Sequence, residues 1–69
     1  MKNLFGKRLA EVRCENKLTR GEFAKKINVS LRLVCYWENG ERECSFDMLL
    51  KISEVLDVSI DYLLGKTEY

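Results

Sequence analysis

The side chains able to do chemistry in this chain are charged, and they are unevenly placed. Residues 1–36 carry nine bases (Lys2, Lys7, Arg8, Arg13, Lys17, Arg20, Lys25, Lys26 and Arg32) against Glu11, Glu15 and Glu22, a net charge of +6. Residues 37–69 carry Arg42, Lys51 and Lys66 against eight acids, a net charge of −5, so the whole chain stands at only +1. Such polarity points to one end that meets a polyanion while the other does something else; the alternative is ordinary solvated helix surface. Other chemistry finds little to work with. The chain has no histidine, and Cys14, Cys35 and Cys44 form no C-x-x-C pair. Three thiols alone cannot complete a four-ligand zinc site, and an odd cysteine number argues against a disulfide framework. They read as small buried or half-buried thiols in a reducing compartment. With no nucleophile–base constellation and no glycine-rich phosphate loop, the reading assigns no catalytic residue, no metal and no cofactor. An enzyme is not expected.

Apolar residues recur at helical spacing throughout, and no stretch alternates as a strand would. Five helices are predicted, each with its own start and stop chemistry. The first spans about residues 3–16, with Phe5, Leu9 and Val12 on one face. The second opens at "TRGE", where Thr19 caps the amide of Glu22 and Glu22 reaches back. It turns Phe23, Ala24 and Ile27 inward and ends near Asn28. Ser30 caps the third, which stops at "ENG" with Gly40 in the left-handed conformation. Ser45 caps a fourth whose apolar positions are Phe46, Leu49, Leu50, Ile52, Val55 and Leu56; Ser59 caps a short fifth, "IDYLL", closed by Gly65. Connections of a few residues pack neighbours on one another. The expected architecture is an all-α, compact five-helix bundle, a single domain over 1–69 with its core at about 4–65. The start "MKNLFGKRLAEV" is broken by charge, unlike a signal peptide, and no apolar run approaches the roughly 18–20 residues of a membrane span. The expectation is a cytoplasmic protein without a membrane partner.

The second and third helices are very short and separated by a three-residue turn. That is the layout of a helix-turn-helix, whose second helix lies in the DNA major groove. Its geometry makes three demands, and the sequence meets them in one register. Ala24 is small where the helices cross. Asn28 stands where positive φ is needed, and asparagine tolerates it better than most residues. Val34 fills the space between the helices.

Over about residues 4–65 the chain resembles the phage Cro/repressor type of helix-turn-helix domain, the Xre-like, lambda-repressor-like family of bacterial and phage regulators. The matching pieces are "FGKRLAEVR", "LTRGEFAKKINVS", "VCYWENGER" and "LLKISEVLDVSIDYLL". The resemblance implies that Leu31, Arg32 and Tyr36 face bases. It implies that Thr19, Arg20, Ser30, Asn39 and Arg42 touch the DNA backbone, Arg20 standing where the family usually has Gln. It also implies an internal ion pair between Arg13 and Glu38. From chemistry, Arg32 forks onto guanine, contacts phosphate or stays a free surface arginine, and Tyr36 either touches a base or sugar or packs against the second helix. Trp37 is read as packing inward. The departures lie after the third helix, where Glu41 and Glu43 replace common bases and Cys44 a frequent proline.

The last helix is more apolar than one small core requires. Ile60, Tyr62 and Leu64 are therefore the candidate homodimer contacts, the alternative being that this helix only closes the monomer core. A two-fold dimer would place two recognition helices one DNA turn apart, about 34–36 Å. The expected function is a sequence-specific regulator of transcription, a repressor that binds a palindromic operator in double-stranded DNA as a dimer. The alternative is a protein-interaction module of the same fold, antitoxin-like or binding a protein antagonist, with DNA affinity secondary.

Overall fold

The structure, a computed structural model, describes residues 4–65. The elements run α1 (Phe5–Glu15), α2 (Arg20–Ile27), α3 (Leu31–Glu38), α4 (Phe46–Leu56) and α5 (Ile60–Leu64), with no strand among the described residues. The all-α, five-helix architecture is therefore as predicted; Asn3, placed in the first helix by the sequence, lies outside the described residues. None of these helices is long and apolar enough to cross a membrane.

Four of the five helices begin on a hydroxyl. Thr19 accepts the Glu22 amide at 3.1 Å while its own N–H donates to Glu22 Oε1 at 2.8 Å, the reciprocal capping box. The backbone bond, with the Thr19 side chain, holds the Glu22 carboxyl below the ordinary carboxylate range. Ser30, Ser45 and Ser59 accept the amides of Leu33, Met48 and Tyr62 at 3.1, 3.2 and 3.0 Å.

The helix ends share a second device. Lys17, Asn28, Gly40 and Asp57 all have positive φ, at 58°, 61°, 77° and 57°. In each case the next residue's amide turns back across the bend: Leu18 to Arg13 O, Val29 to Ala24 O, Glu41 to Tyr36 O and Val58 to Ser53 O, at 2.9–3.2 Å. These are the six-to-one bonds of the Schellman motif, and they satisfy carbonyls the helices would otherwise orphan. Asn28 and Gly40 are suited to the left-handed region. Lys17 is not, and a lysine there costs about 1 kcal/mol.

Helix α1 packs on α3 and α5, α2 on α3 and α4, and α4 on α5. Leu9, Phe23, Ile27, Val34, Ile52 and Leu63 are fully enclosed between them. Trp37 points inward, edge-on to Phe5 with ring centroids 6.4 Å apart. The α1–α3 crossing is unusually close. A Cβ on Gly6 would lie 2.5 Å from the carbonyl oxygen of Trp37 and 2.9 Å from that of Glu38. Only glycine lets the start of α1 rest on the last turn of α3.

Helix α4 buries a narrower stripe than its apolar pattern suggested. Leu49, Ile52 and Leu56 face the core, but Phe46 is 68% exposed, Leu50 40% and Val55 37%. Its two neighbours cover one side only, so residues one position off that stripe reach solvent.

Two glycine substitutions should move stability in opposite directions. Gly6→Ala would gain about 1 kcal/mol of helix propensity, but the clash is with backbone that cannot rotate away; overpacking costs of about 1–3 kcal/mol win. Lys17→Gly relieves the left-handed strain and should stabilise by about 0.5–1 kcal/mol. Thermal melts of the two variants beside the parent chain check both signs; a Gly6→Ala protein that melts no lower would disprove the close crossing.

Candidate nucleic-acid interface

The corner fixes the outward helix. Ala24 and Val34 are buried where α2 and α3 meet, and the left-handed Asn28 turns the chain between them. Along α3, Val34 and Trp37 take the inner face. That leaves Leu31, Arg32, Cys35, Tyr36 and Asn39 on the outer side: Leu31 is 52% exposed, Arg32 and Asn39 are exposed, and Cys35 and Tyr36 are half-buried. The capping hydroxyls of Thr19 and Ser30 sit at the exposed starts of α2 and α3. Each accepts one amide and keeps an O–H to donate.

Two shallow grooves run beside this outer face. One is lined by Arg13, Thr19, Arg20, Gly21, Leu31 and Cys35. The other is lined by Ser30, Arg32, Leu33, Tyr36 and Arg42, with the Arg42 guanidinium 5.0 Å from the centre of the Tyr36 ring. The exposed ridge of α3 is thus bracketed by a cation on each side, Arg20 and Arg42. Acidic Glu41 and Glu43 flank Arg42 in the chain and are exposed. Burial pushes the Cys44 thiol upward.

Behind the ridge lies a buried carboxylate. The Glu38 side chain is 2% exposed; its Oε2 accepts from Arg13 Nε at 2.7 Å and its Oε1 from Arg13 Nη2 at 3.3 Å. Arg13 Nη1 donates to the Leu18 carbonyl at 2.7 Å. The sequence implied the Arg13–Glu38 pair but not a third member: Arg20 Nε donates to Glu38 Oε1 at 2.9 Å. The hydrogen bond to Glu38 raises both arginines above their ordinary value. Nothing local signals the Arg20 bond, because its partner lies on another helix 18 residues away.

The candidate dimer residues sit elsewhere. Ile60, Tyr62 and Leu64 are half-buried against the core, Leu63 is fully buried, and the Arg8 guanidinium lies 4.5 Å from the Tyr62 ring centre. Helix α5 therefore closes the core and keeps a partly open apolar edge.

Arg13→Met should lower the melting temperature. Arg20 still offsets part of the Glu38 charge, so the loss should fall below the about 3–5 kcal/mol of an orphaned buried charge, at about 1–3 kcal/mol. An unchanged melt by circular dichroism would show that the pair does not contribute.

Comparison with known proteins agrees with the fold. A sequence model of the family described as Helix-turn-helix matches residues 9–63. The HTH-type transcriptional regulator ImmR of Bacillus subtilis (strain 168) is 43% identical over 63 residues, covering 91% of this chain and 50% of ImmR. The structure of the P22 c2 repressor protein in complex with a synthetic operator matches at TM-score 0.87 and 32% identity, over 96% of this chain and 100% of that one. Hydroxypropylphosphonic acid epoxidase from S. wedmorenis also contains the fold, at TM-score 0.83 and 30% identity, over 91% of this chain but 34% of the enzyme. The fold by itself thus does not dictate function. The chain spans about half the length of the curated relatives it matches. With the family model covering both helices of the corner and most of what supports them, the chain belongs to the Cro/repressor-type, Xre-like helix-turn-helix family of transcriptional regulators.

Proposed function

We propose that this chain is the DNA-binding unit of a sequence-specific repressor that occupies a palindromic operator as a homodimer. The observation that carries the reading is the outer ridge of α3 with Arg20 on one side and Arg42 on the other. A groove of duplex DNA has the complementary form: base edges on its floor and a phosphate strand along each wall. Thr19, Ser30 and Asn39 add neutral donors at exposed helix ends. Arg32 is the side chain assigned to guanine, Leu31 to a thymine methyl, and Tyr36 to a base edge or sugar while it carries Arg42. The P22 c2 repressor, which has this fold and is known bound to operator, supports the assignment.

The dimensions are consistent with a dimer. The described residues extend 27 × 23 × 20 Å, less than the about 34–36 Å between half-sites one DNA turn apart. One copy reads one half-site. The open edge of α5, through Ile60, Tyr62 and Leu64, is the proposed two-fold contact, and the operator in the cytoplasm is the proposed site of action.

A second reading has its own observation. Phe46 is exposed between Glu43 and Asp47, with Leu50 one turn on. An apolar patch with acidic edges repels DNA and suits a basic protein antagonist.

Titration of random duplex DNA across salt separates the two. With Arg20 and Arg42 as the charged contacts, log Kd should change with log salt by about two per copy. A flat or absent response favours the protein partner. Selection from a random pool should return symmetric half-sites, and Arg32→Ala should cost about 1–3 kcal/mol at one base pair and little elsewhere. Equal weakening on every duplex would reduce Arg32 to a phosphate contact.

A further inference from the structure

The Glu38 cluster holds more charge than its burial requires. One carboxylate meets two guanidiniums, so the trio carries one surplus positive charge. The two arginines differ in exposure: 11% for the side chain of Arg13 and 49% for that of Arg20. The surplus is therefore displayed at Arg20, on the wall of the groove it shares with Thr19 and Leu31. Arg20 is bonded to Glu38 through Nε. This leaves its Nη amino groups for another acceptor, and a guanidinium fixed at one nitrogen has a defined plane for the rest.

We propose that Glu38 is a positioning residue for DNA binding, holding Arg20 so that its outer edge meets a backbone phosphate beside the first turn of α3. The inference rests on the DNA-binding reading above. Glu38 does not touch DNA in this account; it acts through Arg20. An exposed arginine loses rotamer freedom when it meets a phosphate, and one already held loses less. The opposite effect, competition of Glu38 with the phosphate for Arg20, is weak because Arg13 already matches the carboxylate with two bonds. The same reasoning explains why charge alone is insufficient at this position. A lysine has one nitrogen, which cannot both bond Glu38 and reach outward with fixed geometry.

The test measures Kd and its salt dependence on the duplex selected from random DNA, with folding checked by circular dichroism. Arg20→Gln should weaken binding about tenfold and lower the salt slope by about one. Arg20→Lys, which leaves the Arg13–Glu38 pair intact, should lose nearly as much despite keeping its charge. Parent-like affinity and slope for Arg20→Lys would overturn the proposal, because diffuse charge would then suffice. Glu38→Gln gives a second arm where it folds: adding Arg20→Gln to it should cost less than about twofold more, whereas a full further tenfold loss overturns the positioning role. If Glu38→Gln does not fold, the lysine variant decides alone. A parent protein that binds no duplex at all would instead defeat the regulator reading.

Discussion

A carboxylate with 2% of its side chain exposed is the constraint on which this small domain turns. A buried, unmatched charge costs several kcal/mol, a large share of the about 5–15 kcal/mol that a folded domain has in total. Glu38 can be tolerated only where cations reach it, and the cations come from two other helices: Arg13 on α1 and Arg20 at the first position of α2. Apolar residues of similar volume could stabilise the same space equally well. What the charge adds is direction. Hydrophobic faces slide; a carboxylate with donors at 2.7 and 2.9 Å does not. The cluster thus sets the start of α2 relative to the end of α3, and these two helices carry the proposed interface.

Much of this was legible in the chain, and what was not follows a physical pattern. The hydroxyl starts at Thr19, Ser30, Ser45 and Ser59 and the turns at Asn28 and Gly40 are local: the residue that does the work is the residue that marks the place. Lys17 adopts the same left-handed bend as Asn28 without a comparable mark, because the returning amide and the packing beyond it override the residue's preference. Gly6 carries no signal at all. Its requirement comes from the carbonyls of Trp37 and Glu38, which approach only once α1 and α3 have packed. Arg20 is similar, since a first-turn arginine looks like any surface cation until Glu38 arrives beneath it. On α4 the apolar pattern overstated burial at Phe46, Leu50 and Val55. Periodicity records which residues share a face, and neighbours decide how much of that face is covered.

In the proposed reading the two faces of α3 keep stability and recognition apart in eight residues. Val34 and Trp37 are buried and close the corner. The outer residues contribute little to the core, so they are free to vary with the target. Here that surface is largely apolar: Leu31 and Cys35 offer contact without hydrogen-bond pattern, leaving Arg32 and Tyr36 as the polar readers. Tyr36 is also committed to Arg42. In the proposed reading few side chains carry sequence information, and fixed phosphate contacts must supply the register that lets those few meet the right bases.

In the proposed reading, charge distribution also governs how the domain approaches DNA. Net charge of +1 provides little long-range attraction to DNA, so binding to any duplex rests on the few cations of the contact face. Polarity works differently from net charge. With +6 in residues 1–36 and −5 in residues 37–69, a nearby polyanion pulls on α1 to α3 and pushes on α4 and α5. In the proposed reading the result is a turning force with little net pull, which presents α3 to the duplex before contact. Affinity then depends on contacts made at close range, where the solvent-screened tail of the field matters least. For that arrangement, a cation held in place contributes more than a cation merely present, and the buried carboxylate beneath Arg20 supplies the holding.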